Sequence, residues 1–338
     1  MQPLRIALAQ LAPQLGVLDA NLARHSAILA EARAGGAGLV VFPELGLTGY
    51  QLQDLAAEVA MRQDDPRVLR LAAETAGLSA VVSFVEEADD HRLFISAALL
   101  EDGEVRFVHR KLFLPTYGLF DERRFFAAGD RLRAVDSRLG IRLGIAVCED
   151  FWHMAVPETL AMDGAQMLIN VSSSPGRDLA AIHEVGLGTA VSWRALMRTY
   201  AQLTTCFVVF CNRVGVDETV SFWGGSEVIG PGGEALFTAP LFDEGLHYVD
   251  VELGDVRRER ISLPLLRDER PELHLRELRR ILAERTGMPE DQASERSHDR
   301  EVREEAPDQD AGLDDWTRRQ TRGVPNRWSA SGGDDADR

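Results

Sequence analysis

Lysine is almost absent from this chain: Lys111 is its single instance among 37 lysines and arginines combined. Where arginine has taken every other basic position, one surviving lysine marks a place that needs a compact ammonium rather than a planar guanidinium. Cysteine is scarce too. Three thiols, Cys148, Cys206 and Cys211, provide no disulfide framework and point to a reducing, cytoplasmic setting. Apolar runs stay below 18 residues, so no transmembrane helix and no membrane partner are expected. Basic charge is in deficit, with a formal net charge of −17 at pH 7, which argues against nucleic acid as a partner. Neither a G-x-S-x-G serine motif, a Walker loop nor a G-x-G-x-x-G turn occurs. No histidines stand at zinc-ligand spacing around Cys206 and Cys211, which read as core residues. The N-terminal MQPLRIALAQLAPQLG reads as a strand and turn rather than a leader, because Gln10, Gln14 and the prolines interrupt its apolar run.

What is present is an alternation of strand-like and helix-like segments. Residues 4–12, 37–45, 79–87, 139–150, 166–174, 206–214 and 247–253 carry strand patterning. Residues 18–34, 66–76, 155–163 and 183–203 carry helical spacing; in the first, Leu18, Leu22, His25, Ile28, Leu29 and Ala32 share a face that ends at Gly35-Gly36. Residues 93–112 form a hairpin turning at Asp102-Gly103, and 221–240 a second one turning at Pro231-Gly232-Gly233. Hairpins between some strands and helices between others predict an α/β fold with mixed sheets. Four strand ends carry chemistry-capable residues, at Glu44, Lys111, Cys148 and Asn170–Ser174. The chain divides as 1–254, a folded domain; 255–285, an extension whose helix 271–285 docks on it; and 286–338, a disordered acidic tail too poor in apolar residues to bury itself. The tail segment SASGGDDAD resembles a pyrophosphatase loop, but no strand precedes it and no helix follows, so it is not read as a phosphate site.

Three residues invite a chemical reading. Cys148 ends the strand-like GIAV in GIAVCEDFWH, where a thiol is ordinarily structural but is also placed to be a nucleophile. The carboxylates that follow it disfavour a spontaneous thiolate, so a base or a cation must come from elsewhere. Glu44, in VVFPELGLTGY, follows an apolar strand whose surroundings would raise its pKa toward general-base values. Lys111, in HRKLFLPTYGLFDE, is the candidate cation, able to sit beside a developing oxyanion.

Taken in order, FPELGLTGY, HRKLFLPTYGLFDE and CEDFWH, with intervals of 67 and 37 residues from Glu44 to Lys111 to Cys148, resemble the carbon–nitrogen hydrolase (nitrilase) family. Within it the chain is most similar to the glutaminase domain of glutamine-dependent NAD synthetase, over residues 4–253. The resemblance implies a four-layer α-β-β-α sandwich of two mixed β-sheets. It implies that Glu44 is the general base, Lys111 stabilises the tetrahedral intermediate and Cys148 is the nucleophile, with the Glu149 N–H in the oxyanion hole. Glu122 would position substrate and lysine; Tyr117, Glu149 and Ser174 would line the substrate pocket, with Arg177 a further candidate. The implied reaction is cleavage of a small linear amide, glutamine-like, ω-amide or N-carbamoyl, through a thioester and with no cofactor or metal. A homodimer or larger assembly is implied as well. After residue 254 too few ordered residues are expected for an ATP-using synthetase domain. The chain would then be either a free-standing amidase or a glutaminase subunit whose synthetase partner is a separate chain; a further alternative is an inactive binding or regulatory member of the fold.

Overall fold

The structure, a computed structural model, describes residues 3–176, 187–217 and 219–287. It divides the chain into two compact units, Met1–Asp268 and Glu269–Arg338. The second unit contributes one described helix, Pro271–Thr286, with Pro271 in its first turn and left-handed Gly287 closing it. The tail read as disordered lies, from residue 288, outside the described residues, as does Arg177.

The first unit is built on two six-stranded mixed sheets. Sheet one runs β14 (Gly245–Val251), β1 (Leu4–Gln10), β2 (Leu39–Val41), β3 (Ser79–Glu87), β4 (Leu93–Glu101), β5 (Glu104–Arg110). Sheet two runs β13 (Ala235–Thr238), β12 (Glu227–Ile229), β9 (Phe207–Asn212), β8 (Met167–Ser172), β7 (Arg142–Val147), β6 (Ala134–Asp136). The period-two alternation of side chains divides each strand of sheet one between two cores. Ile6, Leu8, Leu39, Val41, Val81, Ile95 and Leu99 belong to the core shared with sheet two. Ala7, Ala9, Val40, Val82, Phe84 and Ala98 belong to a separate core with helices α1 (Leu18–Ala34) and α2 (Pro66–Ala73). On sheet two, α3 (Ala155–Met162) and α4 (Gly188–Thr204) supply the opposite helical layer, and Trp193 of α4 stacks on Phe210 of β9 at 5.1 Å. Layers therefore follow the order helix, sheet, sheet, helix. Both remaining cysteines pack in the core as their surroundings in the sequence suggest. Cys211 Sγ on β9 lies 3.1 Å from the Val41 carbonyl of β2, linking the sheets, and Cys206 Sγ lies 3.1 Å from the Ala165 carbonyl.

Local chemistry sets most boundaries. Asp65 caps α2 by accepting from the Arg67 N–H at 2.8 Å, and Pro66 supplies the preset first turn. The β4–β5 hairpin turns at Asp102 and Gly103, both left-handed, as the sequence indicates. In α1 the buried positions include Asn21, whose side chain bonds both the Gln14 N–H and its carbonyl; Leu22 is only partly buried. Three readings change. The strand expected over 139–150 is confined to Arg142–Val147, because left-handed Cys148 turns the chain into a 3₁₀ turn over Cys148–Trp152. The strand expected over 37–45 is confined to Leu39–Val41, because Pro43 and left-handed Leu45 turn the chain out of the sheet. The hairpin expected over 221–240 is confined to β12 and β13. Left-handed Gly224 and Gly225 break the strand before it, so β11 (Val220–Trp223) pairs back on β10 (Val214–Asp217) instead.

Candidate active site

β2 is parallel to β3, and two hairpin reversals bring β5 back to the same direction, so Glu44 and Lys111 emerge at one edge of sheet one. β7 and β8 are parallel, so Cys148 and Ser173–Ser174 emerge together at one edge of sheet two. Carboxyl ends of parallel strands are where open sheets build sites. The two edges are joined directly: the Ser173 N–H donates to Glu44 Oε2 at 2.8 Å, and the Ser173 hydroxyl donates to the Glu44 carbonyl at 2.8 Å.

Lys111 is 1 % exposed, and its ammonium donates to Glu44 Oε1 at 2.7 Å and Glu122 Oε1 at 2.8 Å. The Tyr50 hydroxyl donates to the same Glu122 oxygen. Burial pulls the lysine pKa down, but the Glu122 and Glu44 carboxylates outweigh it and hold the ammonium charged, well above its usual range. Burial, opposed by Lys111 and reinforced by Glu44, pushes Glu122 up to about 7. Two carboxylates on one ammonium leave a surplus negative charge, and the site relieves it by raising the affinity of Glu122 for a proton. Burial likewise pushes the Tyr50 phenol up, with Glu122 and Glu44 adding to it.

Cys148 is buried at the foot of a 3₁₀ turn, Cys148–Trp152, and has a left-handed φ of 43°. Such a conformation at a non-glycine residue costs on the order of 1–3 kcal/mol and is held by its surroundings. The thiol pKa is driven up by burial first and by Glu44 next, while Lys111 pulls it down and Glu122 and Glu149 push it further up. The acid, the ammonium and the sulfur therefore act on one another electrostatically, and at rest the thiol is protonated.

The Cys148 side of the site opens on a cavity of about 180 Å³ lined by Tyr117, Cys148, Glu149, Trp152, Ser174 and Trp193, among others. Glu44 and Lys111 do not line it; they act on the thiol that does. The Tyr117 hydroxyl donates to the Glu149 carboxylate at 2.9 Å, and burial raises the Glu149 pKa. The Ser174 hydroxyl oxygen accepts from the indole N–H of Trp193 at 2.8 Å and of Trp223 at 3.2 Å. With both lone pairs taken, its own proton remains for a third group.

Three contributors have roles that escape sequence reasoning, although each lies in a segment it singled out. Tyr50 lies in the quoted FPELGLTGY but has no spacing signal toward Glu122. Ser173 reaches the Glu44 carboxylate through its backbone N–H, which any residue carries, and its hydroxyl bonds only the Glu44 main chain. Asp150 sits in the CED run, where its negative charge reads only as unfavourable to a thiolate. Its carboxylate instead accepts from the N–H groups of Val147, Leu112 and Phe113 at 2.9–3.0 Å and from His109 Nε2 at 2.9 Å.

Residues 5–260 match the family described as carbon-nitrogen hydrolase. The chain is 33 % identical over 261 residues to glutamine-dependent NAD(+) synthetase of Thermotoga maritima, covering 75 % of this chain and 43 % of that one. It is 35 % identical over 252 residues to the enzyme of the same name from Rhodobacter capsulatus, covering 74 % and 44 %. The chain thus spans somewhat under half the length of these relatives. Among solved structures it superposes on an amidase from Nesterenkonia sp. AN1, whose active-site cysteine carries the acetamide moiety of fluoroacetamide. That match has a TM-score of 0.66 and 27 % identity, covering 81 % of this chain and 96 % of the amidase.

Proposed function

Because the chain belongs to the carbon–nitrogen hydrolase family, we propose that it is a cysteine-dependent amidohydrolase that releases ammonia from a small linear amide through a thioester. One observation carries this reading: the single lysine is buried as an ammonium between Glu44 and Glu122, and all three act electrostatically on the thiol at the cavity wall. In this mechanism Glu44 takes the Cys148 proton as sulfur attacks the amide carbon. Lys111 and the Glu149 backbone N–H hold the oxyanion. Collapse expels the amine, which takes its proton from Glu44. Glu44 then removes a proton from water, which attacks the thioester and frees the acid. One base and one oxyanion site serve both halves, so no histidine is required. The raised thiol pKa suits this scheme, because the proton leaves only when Glu44 and a bound carbonyl are both in place.

The cavity walls favour a glutamine-like substrate within that class. Glu149 offers a carboxylate to a substrate ammonium, and the Ser174 hydroxyl offers a proton to a substrate acceptor such as a carboxylate. ω-Amides and N-carbamoyl compounds belong in the same assay. The NAD synthetase relatives support a second reading of the same site, a glutaminase that supplies ammonia to a separate synthetase chain, and we place the protein in a homodimer or larger assembly. The test is ammonia release from glutamine, asparagine, ω-amides and N-carbamoyl amino acids. Wild-type protein should turn over at least one of them, and Cys148→Ala none. Undiminished ammonia release by folded Cys148→Ala would end the proposal.

A further inference from the structure

We propose that Asp150 and His109 form a positioning pair that fixes the spacing between the Cys148 turn and the Lys111 segment; this rests on the assignment of those two residues to the reaction. The Asp150 carboxylate is fully buried, and each of its oxygens accepts two hydrogen bonds. Oδ1 takes the N–H groups of Leu112 and Phe113, the two residues that follow Lys111, at 2.9 and 3.0 Å. Oδ2 takes the N–H of Val147, the residue before Cys148, at 3.0 Å, and His109 Nε2 at 2.9 Å. The ammonium-bearing segment leaves sheet one and the thiol-bearing segment leaves sheet two, yet both are tied to one rigid, planar group. His109 lies two residues before Lys111 on β5, and its Nδ1 has no partner among the described residues. Facing a carboxylate oxygen, which only accepts, Nε2 is the donor, and the imidazole acts as a strut between the sheets next to the lysine.

Neither residue lines the cavity or touches Lys111 or Cys148 through its side chain among the described hydrogen bonds, so the role is one of geometry. What it sets is the field at sulfur. The Cys148 thiol faces Glu44, Glu122 and Glu149, which disfavour the thiolate, and Lys111, which favours it. A slip of the Lys111 segment weakens the favourable member of that set. In reactions that depend on orientation, a displacement of about 1 Å can cost 10²-fold.

The experiment compares His109→Leu, which removes the donor, with His109→Gln, which keeps an N–H at similar reach, well below each protein's Tm. For His109→Leu, kcat for the amide that wild type turns over should fall ~10-fold or more with KM nearly unchanged. Alkylation of Cys148 by iodoacetamide at pH 8 should slow about threefold or more, because less thiolate is present. His109→Gln should recover most of both rates. If His109→Leu loses Tm but keeps kcat and the alkylation rate at wild-type values, the pair is structural only and the proposal fails. Should His109→Leu not fold, Asp150→Glu, which keeps the charge and moves the anchor, carries the same expectations. If wild type releases no ammonia from any amide, the functional reading falls, while the alkylation comparison still decides the positioning role.

Discussion

The lone lysine makes its strongest prediction through size. A 1 % exposed ammonium held at 2.7 and 2.8 Å by two carboxylates leaves no room for a planar, five-donor guanidinium. Lys111→Arg, conservative in charge, should therefore lower kcat by ~10²-fold or more, with folding checked by circular dichroism and turnover by ammonia release. Glu122 makes a prediction about pH. Its folded pKa of about 7 lies above the ordinary 4.5, so the folded state holds the proton more tightly than the unfolded one. Wild type should therefore lose stability relative to Glu122→Gln as pH rises from about 4.5 to about 7, with a constant difference above that. Urea unfolding of both proteins across that window measures it; a difference that grew more favourable to wild type with rising pH would refute the assignment. At this scale the sequence was legible where side-chain type is unusual. A single lysine stands out in composition, whereas Asp150 is one of 54 acidic residues, and only its four donors distinguish it.

Turns rather than strands place the proposed chemistry. Glu44 follows β2 in a turn between Pro43 and left-handed Leu45, whose N–H is held by Ser83 Oγ at 2.9 Å, and Cys148 leaves β7 through its own left-handed φ. Pro43 marks the first turn in the sequence, but the left-handed φ at Leu45 and Cys148 was not readable in advance, because nothing in Leu or Cys favours positive φ; surrounding contacts impose it. The β4–β5 turn was readable, since Asp-Gly favours the conformation locally. It gives a control that separates stability from function. Gly103 has φ of 90°, and a Cβ there would meet nothing within 4 Å. Gly103→Ala should cost about 1–2 kcal/mol through backbone strain alone, seen in urea unfolding, and should leave kcat unchanged in the ammonia assay.

All proposed catalytic and substrate-facing residues lie in the unit Met1–Asp268. A chain ending at Asp268 should therefore keep its thermal transition and its ammonia release; loss of either would show that residues 269–338 supply something the folded unit needs. Among the described residues no helix is long and apolar enough to cross a membrane, in line with the short apolar runs of the sequence.

The sequence by itself determined most of the strand and helix order, the mixed character of the sheets and the three residues proposed as acid, ammonium and thiol. Those properties follow from local periodicity, turn chemistry and side-chain type. Only the tertiary structure decided that Ser173 ties the two sheet edges together through Glu44, and that Glu122 shares the lysine with Glu44 and Tyr50. It alone decided that one aspartate anchors both the sulfur and the ammonium segments. Each of these is a hydrogen bond between groups remote in the chain, and a backbone N–H or a buried carboxylate carries no mark of its partner until packing brings the two within 3 Å.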